Sequence, residues 1–484
     1  MKRTILPYDF VPYYPVGIYP CEMYVDVANR IYNRIKNYSI DLPYEHKLKK
    51  EIAINVAIYY EDKMSNIGLW NAFTSRHQLM YDRPLPFFDN FDKLYKDEVN
   101  AKEVELLIWL IITRNFSDRF INPLVIGEGV ANLIMEVLTE DDQVEINDGL
   151  YEYIYTDKAH DYFKLKHILI WLRRSYLLSS PLSENRFNQI LKNYSIPYNE
   201  SLSKYYAETI FSMSSEIGPL ALEPHICLAD MYNENNMPDE AQTIINIKYC
   251  QPDTFKVLDT MPGYVILNNS KDEKYKVIND HPELYHTGSY LHTALVKYGD
   301  NEWEVNGFIL DSDERIFVKM SERNKELEVA YKEIFPLYMK RTNGKRMAFF
   351  ENKEQLKEWL IKISPEVDTK EALEHLPNSS QVAFISQKAG IIFAPGIIHA
   401  IKCKDNPYYK KCDDRVMQQE TIDALINTGA VHPELLNYLL ENKMLQDGDV
   451  SSMFQSKLGK QIFTQNIDFI TRHYRRYLYY DHDY

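Results

Sequence analysis

The chain has 484 residues, about three times the roughly 150 residues of an average domain, so two to four domains are expected. Its 55 Lys and Arg against 70 Asp and Glu give a net charge of −15, which disfavours extended contact with nucleic acid or an anionic membrane. Hydrophobic residues at 45% and charged residues at 26% exclude the composition of a disordered protein.

Sequence features that report on the compartment favour the cytoplasm. The five cysteines are odd in number and scattered, so no disulfide framework is indicated. Prolines and tyrosines interrupt the first 20 residues before the apolar stretch of a signal peptide can form. The most apolar run, residues 104–112, has less than half of the roughly 20 residues that a membrane span requires.

The N-terminal half is predicted to be an irregular helical bundle. Its first 20 residues contain four prolines and five aromatic residues, which is typical of an extended arm laid across a surface. Apolar residues then recur with helical spacing, and no fixed repeat period indicates a solenoid. The predicted helices span residues 22–38, 45–64, 67–80, 100–113, 122–139, 159–177, 183–193 and 200–216.

The pattern changes to short β-type runs after residue 250. Five runs separated by turn residues predict an antiparallel unit, either a small barrel or a curled sheet. Gly299, Asp300 and Asn301 close the last hairpin. The predicted strands are FKVLD (255–259), GYVIL (263–267), KYKVI (274–278), YLHTALVKY (290–298) and EWEVNGFIL (302–310).

Helical spacing returns at residues 323–340, and a strand, a helix and a hairpin follow between residues 346 and 395. Three further helices are predicted within residues 415–476, so the fold class is α+β. Linkers are predicted near residues 232–240 and 403–414. The predicted domains are a helical domain with its arm (1–230), a small β-barrel-like unit (250–313), an α+β segment (314–410) and a C-terminal helical segment (411–484).

Residues 59–77, YYEDKMSNIGLWNAFTSRH, hold the strongest candidate polar cluster. Asp62 follows two isoleucines on one i, i+4 stripe, so it lies where an apolar contact is expected and needs a partner. Arg76 and His77 lie on the next helix, for which Asn66 is the predicted N-cap. General acid–base catalysis by Asp62, Arg76 and His77 is one interpretation, but a structural ion-pair network uses the same residue types and is favoured.

Two segments carry potential metal ligands, and neither has the spacing of a zinc site. His399 and Cys403 would share a helical face and Cys412 could fold back towards them, but without a C-x-x-C pair these three are weak candidates. The other segment contains His281, His286 and His292. We expect no metal and no cofactor.

An enzyme with a different site is the alternative function. Asp259 at a strand end, followed by Asp272 and Lys274, has the outline of a metal-dependent hydrolase or nuclease, in which acids hold Mg²⁺ and position water. The outline is permissive, because the surrounding NNSKDEK is typical of a solvated hairpin turn rather than of a core strand.

Nucleic-acid binding through the C-terminal helical hairpin is a further alternative. Residues 421–445 have the pattern helix, turn, helix, but the second helix carries acids such as Glu434, a poor surface for phosphates. Arg472, Arg475 and Arg476 complement the dipole of the last helix and are expected on a solvated face. Nucleic acid is therefore an unlikely partner.

Five stretches stand out by their aromatic and helix-forming residues. They are YYEDKMSNIGLWNAFTSRHQLMYDRPLPFFD (59–89), DEVNAKEVELLIWLII (97–112), NEWEVNGFIL (301–310), GIIFAPGIIHAIKCKDNPYY (390–409) and FTQNIDFITRHYRR (463–476). Taken together and in this order, they resemble an uncharacterised bacterial family, domain of unknown function 3843. The resemblance implies a soluble bacterial protein and transfers no catalytic residue.

The sequence contains no coherent nucleophile, metal or phosphate motif, whereas tyrosine is abundant with 38 residues. Tyr and Trp are the residue types that dominate protein interfaces. We therefore predict a non-enzymatic protein-interaction or regulatory protein. Its helical half and small β unit would form a composite surface for an unidentified protein partner.

Overall fold

The structure, a computed structural model, describes residues 3–40, 43–88, 97–116, 121, 127–140, 145–156, 158–279, 281–365, 368–387, 389–409, 424–425, 431–445 and 457–475. It is 53% helix and 15% strand, which confirms the α+β fold class. The chain divides into two compact units, the first comprising Met1–Asn115 and Pro123–Val318 and the second Phe116–Asn122 and Lys319–Tyr484. The four domains proposed above stay a prediction.

Eleven α-helices precede the sheet in the described part of the first unit. They are α1 (Glu22–Ile35), α2 (Glu45–Met64), α3 (Leu69–Tyr81), α4 (Ala101–Asn115), α5 (Gly127–Leu138), α6 (Asp148–Tyr155), α7 (Tyr162–Leu172), α8 (Pro181–Asn193), α9 (Glu200–Ser214), α10 (Pro224–Glu234) and α11 (Pro238–Ile245). Eight of them match the predicted helices. The sequence prediction lacks α6, α10 and α11, and the last two occupy most of the segment expected to be a linker.

Helix α2 is buried on all sides along its last three turns. Every residue from Ile52 to Lys63 is buried, so this part of the helix has no face turned to water. The charged residues at its C-terminal end, Glu61, Asp62 and Lys63, therefore require partners inside the protein.

The N-terminal arm is anchored in the first unit. Two short turns of 3-10 helix interrupt it between residues 7 and 13. Ile5, Phe10 and Tyr14 are buried. The indole of Trp171 donates a hydrogen bond to the carbonyl oxygen of Tyr13 at 2.8 Å. The arm is thus partly inserted between helices instead of lying extended across their surface.

All five predicted strands of the β unit are present. They are β1 (Lys248–Met261), β2 (Tyr264–Asn268), β3 (Lys274–Ile278), β4 (Tyr290–Lys297) and β5 (Glu304–Ser312). The sheet is antiparallel in the order β3-β2-β1-β4-β5. The N–H of Ile278 donates to the carbonyl of Trp303 at 2.8 Å, so the two outer strands meet. The sheet is therefore curled around a core that includes Phe255, Leu267 and Leu295.

The second unit contains the predicted strand, helix and hairpin. Helix α12 begins in the first unit and continues into the second. The elements are α12 (Glu314–Val329), a π-helical segment (Ala330–Ile334), α13 (Phe335–Arg341), β6 (Met347–Phe350), α14 (Lys353–Ile363), α15 (Thr369–Leu373), β7 (Gln381–Ser386), β8 (Gly390–Pro395), α16 (Pro433–Glu441) and α17 (Lys457–Arg475). Strands β6, β7 and β8 form an antiparallel sheet in that order. Among the described residues of both units, none of the helices is long and apolar enough to span a bilayer.

The β unit meets a buried lysine of the helical part at Gly307. The Lys166 amine donates a hydrogen bond to the Tyr205 hydroxyl at 3.1 Å, and burial lowers the pKa of Lys166 to about 7. Gly307 has a φ of +85°, and a Cβ atom there would lie 2.4 Å from Lys166 Nζ and 2.7 Å from the Tyr205 oxygen. The positive φ favours glycine, and any side chain here would also have to displace the buried Lys166 amine or the Tyr205 hydroxyl.

We expect Gly307→Ala to lower the free energy of unfolding by about 2 kcal/mol or more, because backbone strain and overpacking act together. Gly263→Ala is the matched control, since Gly263 has a φ of +78° with nothing within 4 Å of the added Cβ. Gly263→Ala should lower the free energy of unfolding by about 1 kcal/mol, which is the cost of the backbone strain alone. Urea denaturation of both variants measures the difference, and equal losses would contradict the packing argument.

Candidate functional site

The carboxylate of Asp62 caps helix α3 from the end of α2. Oδ1 accepts a hydrogen bond from the N–H of Leu69 at 3.0 Å, and Oδ2 accepts one from the N–H of Trp70 at 2.7 Å. The Tyr176 hydroxyl donates to Oδ2 at 2.7 Å. An acid at this position satisfies free N–H groups of the helix and interacts favourably with its dipole.

The cap predicted from the sequence was a different residue. The Asn66 side chain instead donates a hydrogen bond to Asn235 Oδ1 at 3.0 Å, and the residue has a φ of +53° in the turn before α3. The Asn66 N-cap prediction is therefore wrong. Sequence spacing alone could not show that Asp62, four residues before Asn66 and on the preceding helix, provides the cap.

Glu61 joins the N-terminal arm to α2 and α6. Its Oε2 accepts a hydrogen bond from the Tyr14 hydroxyl. Its Oε1 accepts from the Asn147 amide at 2.9 Å and from the N–H of Cys21 at 3.4 Å. The side chain is fully buried, and burial raises the pKa of Glu61 to about 8.

Glu103 joins helix α4 to the same part of α2 and α3. Its carboxylate accepts hydrogen bonds from the Tyr59 hydroxyl at 2.5 Å and from the Trp70 indole at 2.8 Å. The rings of Tyr59 and Trp70 pack edge to face with centroids 5.0 Å apart. Lys63 Nζ lies 3.5 Å from the carboxylate, and both side chains of this ion pair are about 1% exposed.

The three acids form a satisfied buried network. Each oxygen of Glu61, Asp62 and Glu103 accepts at least one hydrogen bond. Burial raises the pKa of all three, and the residues are at most 5% exposed. Each acid thereby holds groups from other helices or from the arm in place.

A small cavity lies beside this network. It is lined by Tyr13, Tyr14, Ile58, Glu61, Asp62, Ile67, Leu69, Leu150, Trp171, Ser175 and Tyr176. The space open to the centres of water-sized molecules is about 20 Å³, enough for roughly one water molecule. A space of this size does not hold an organic substrate, and the arm residues Tyr13 and Tyr14 form part of its lining.

Arg76 and His77 have partners of their own. Arg76 forms a two-point ion pair with Asp230, with distances of 2.7 Å from Nε and 2.5 Å from Nη2, which joins α3 to α10. His77 Nδ1 lies 2.7 Å from the Arg83 carbonyl oxygen, and burial lowers the pKa of His77 to about 4. The structure gives Asp62, Arg76 and His77 three different sets of partners, so its geometry adds no support for joint acid–base catalysis.

The weak metal candidates do not share a helical face. His399 lies in a short 3-10 turn with Nδ1 2.9 Å from the Tyr408 carbonyl oxygen, and Cys403 follows in irregular chain. Asn406 donates hydrogen bonds to two carbonyls of this segment, which competes with helix formation. Cys412 lies outside the described residues, and within the described part of the chain no three His, Cys, Asp or Glu side chains converge on a metal position.

The residues of the hydrolase outline lie at different places in the sheet, on β1, on β3 and in the turn before β3. Asp259 pairs with Ile266 of β2, whereas Lys274 of β3 pairs with Asn268. The two residues are thus two strands and two rows apart, roughly 12 Å between Cα atoms. Asp272 lies in the exposed turn before β3, with a φ of +64° and a hydrogen bond from Asn268.

The C-terminal arginines differ from their prediction. Arg475 is fully buried and donates hydrogen bonds to the carbonyls of Leu425, at 3.1 Å, and Val431. Arg472 is 8% exposed and bonds to Asp468 at 2.9 Å. The expected solvated face is therefore wrong for both, because backbone carbonyls of distant segments hold Arg475; Arg476 lies outside the described residues.

The second helix of the predicted hairpin, α16, is bound to the sheet of its unit. Its Glu434 accepts hydrogen bonds from Arg346 at 2.5 Å, from the N–H of Gln387 at 2.9 Å and from the Ser386 hydroxyl. These contacts fix Glu434 against β7. Most of the first predicted helix lies outside the described residues.

Sequence reasoning missed most partners of the candidate residues and of Glu61, among them Glu103, Asn147, Tyr176 and Asp230. One signal was available for Glu103, because it directly precedes the most apolar run of the chain. An acid beside such a run indicates a buried carboxylate, although its partners remain unknown until the helices are packed.

These features define a two-unit α+β protein in which buried carboxylates join the helices of the first unit. The family described as Protein of unknown function (DUF3843) matches residues 5–312 and 299–476, so the chain belongs to this family. The resemblance carried by the five stretches is thereby confirmed. No curated protein and no solved structure matches the chain.

We expect Asp62→Ala to lower the free energy of unfolding by about 2 to 4 kcal/mol, because two helix N–H groups and the Tyr176 hydroxyl lose a buried acceptor. Asp161→Ala is the matched control, since Asp161 caps α7 from a less buried position and should cost about 1 kcal/mol. Urea denaturation compares the two with the parent. An unchanged or raised midpoint for Asp62→Ala would reject the structural role.

The raised pKa of Glu61 predicts a pH dependence of stability. The pKa of Glu61 in the folded protein, about 8, exceeds the ordinary value of 4.5. The contribution of Glu61 protonation to the free energy of unfolding is therefore complete below the unfolded pKa and is lost as pH rises towards 8. From pH 5.5 to 7.5 the parent should lose stability relative to Glu61→Gln by roughly 1 kcal/mol per pH unit. Urea denaturation at both pH values measures this change.

Glu45→Gln is the control for this pH series. Its ion pair with Lys49 lowers the pKa of Glu45, so that residue stays ionised throughout the interval. Between the two pH values, the free energy of unfolding of Glu45→Gln should change by the same amount as that of the parent. If the free energy of Glu61→Gln also changed by the same amount as that of the parent, Glu61 would be ionised at both pH values and the raised pKa would be wrong.

Proposed function

We propose that the protein is a non-enzymatic protein-binding protein and that residues 319–337 of the second unit, here called the helical surface, contact its partner. One observation carries this proposal. Large apolar side chains of the helical surface are exposed next to one another, whereas the acids that could have supplied chemistry are buried and satisfied.

Three large apolar residues are exposed where the π-helical segment is followed by α13. Tyr331 is 51% exposed, Ile334 37% and Leu337 41%. Among the side chains of α12, none is buried. Single exposed apolar residues are ordinary, but a contiguous group of them is typical of an interaction site.

The other side of α13 holds the helical surface against its unit. Tyr338 is buried with Ile363 and Ile385. Its hydroxyl lies 2.8 Å from the Ser364 hydroxyl. The helix is therefore anchored on one side and available on the other, the arrangement by which an amphipathic helix binds the apolar face or groove of another protein.

The wider composite surface predicted from the sequence, with contributions from the helical half and the β unit, stays a prediction. The helical surface is a narrower proposal that one substitution can test. Leu337 is 41% exposed beside Ile334 in sequence, whereas Val329 is 43% exposed on α12, before the π-helical segment.

We expect Leu337→Glu to remove binding of the partner and Val329→Glu to leave it intact, because only the first charge lies among the three exposed residues. Tagged parent and variants are expressed in the source organism, cross-linked and purified, and the recovered proteins are identified by mass spectrometry. Calorimetry with the purified partner should then show at least a roughly tenfold loss of affinity for Leu337→Glu. Recovery of no protein by the parent, or equal binding by both variants, would reject the proposal.

A further inference from the structure

We propose that the side chain of Lys166 on α7 is a nucleophilic amine that binds a small, uncharged aldehyde as an imine. The site lies within the first unit, where the Lys166 amine meets the Tyr205 hydroxyl of α9 and the backbone of Gly307 in β5. It shares no residue with the helical surface, so it stands or falls independently of the proposed function.

The Lys166 amine is buried without an acid. The residue is 2% exposed, and the hydrogen bond to the Tyr205 hydroxyl at 3.1 Å is the only one that the described residues give it. None of the carboxylates in the described part of the chain forms an ion pair with it. Burial therefore lowers the pKa of Lys166 to about 7, and about half of the amines are neutral and nucleophilic at neutral pH.

The polar groups beside the amine carry no charge. Asn306, which precedes Gly307 on β5, accepts a hydrogen bond from the Tyr162 hydroxyl at 3.2 Å and donates one to Met213 Sδ at 3.4 Å. Burial raises the pKa of Tyr162, so this hydroxyl stays protonated. An uncharged ligand matches these surroundings better than an ionic one, because no opposite charge would compensate its loss of water.

The amine lies one side chain below the surface. Its nitrogen is 4.7 Å from the ring centre of Tyr205 and 6.0 Å from that of Phe163. Tyr205 is half-buried, Phe163 is 38% exposed, and the half-buried Gly307 contributes backbone alone. A small reagent reaches the nitrogen by displacing one ring at the surface, whereas a larger one would have to open the packing of α7, α9 and β5.

Imine formation uses the two groups that meet here. The neutral nitrogen of Lys166 attacks the carbonyl carbon, and the electron pair of the C=O bond moves to the oxygen. Burial raises the pKa of Tyr205, so its hydroxyl holds a proton to donate to this oxygen and regains one from the nitrogen. The second proton of the nitrogen leaves with the new hydroxyl group as water, and the products are the imine and one water molecule.

Reductive trapping tests the reactivity of the amine. The purified chain is treated with propanal and cyanoborohydride at pH 7, and mass spectrometry of its peptides follows the alkylation of each lysine. Lys164, exposed on the same helix, is the internal control. A lysine amine in water is neutral in roughly one molecule in 2,500 at this pH, so Lys166 should react at least roughly tenfold faster than Lys164. Equal rates, or a faster reaction of Lys164, would overturn the proposal.

Two variants test the roles of the hydroxyl and of the burial. Tyr205→Phe keeps the ring but removes the proton donor, so it should slow alkylation of Lys166 roughly tenfold or more and leave the rate at Lys164 unchanged. Lys166→Met should raise the midpoint of urea denaturation at pH 7, because the buried amine binds protons less well than the unfolded one. Circular dichroism checks that both variants are folded. An unchanged rate at Lys166 in Tyr205→Phe, or a lower midpoint for Lys166→Met, would overturn the proposal.

Discussion

The ionisable residues at the end of α2 have no route to water, and the first unit is organised around this constraint. Burying such a residue is costly unless hydrogen-bond partners or an opposite charge surround it. Asp62 is satisfied by the start of α3, Glu61 by the arm and α6, and Lys63 by Glu103 of α4. Each partner comes from a different element, so the burial of α2 and the arrangement of its neighbours depend on one another.

The buried acid network of the first unit and the exposed apolar residues of the helical surface have different physical consequences. In the first unit, a network of carboxylates, hydroxyls and amides is enclosed, and every carboxylate oxygen of its three acids is bonded. In the second unit, apolar residues of the helical surface remain in contact with water although their helix is anchored by Tyr338. An enclosed network gives rigidity and a unique packing, whereas an exposed apolar row costs solubility and is consistent with a binding role.

Local patterns predicted the parts of the fold that depend on local rules. Alternation and turn residues sufficed for all five strands of the curled sheet, and helical spacing sufficed for eight helices of the first unit. The candidate site was harder to predict from the sequence, because hydrogen-bond donors to Asp62 and Glu61 lie up to 114 residues away in the chain. The exposure predicted for Arg475 was wrong for the same reason. A charged residue near a helix end is usually exposed, and only the packed structure shows that carbonyls of distant segments accept the hydrogen bonds of Arg475.

The insertion of the arm has a consequence for the order of events during protein synthesis. The arm is translated before its partner, because the indole that binds Tyr13 belongs to Trp171, which is added 158 residues later. At about 5 to 20 residues per second, this interval lasts roughly 8 to 30 seconds. Tyr13 lacks this hydrogen bond for that time, whereas Ile5 is bonded to Asn29, only 24 residues away. The two ends of the arm therefore gain their partners at different stages of synthesis.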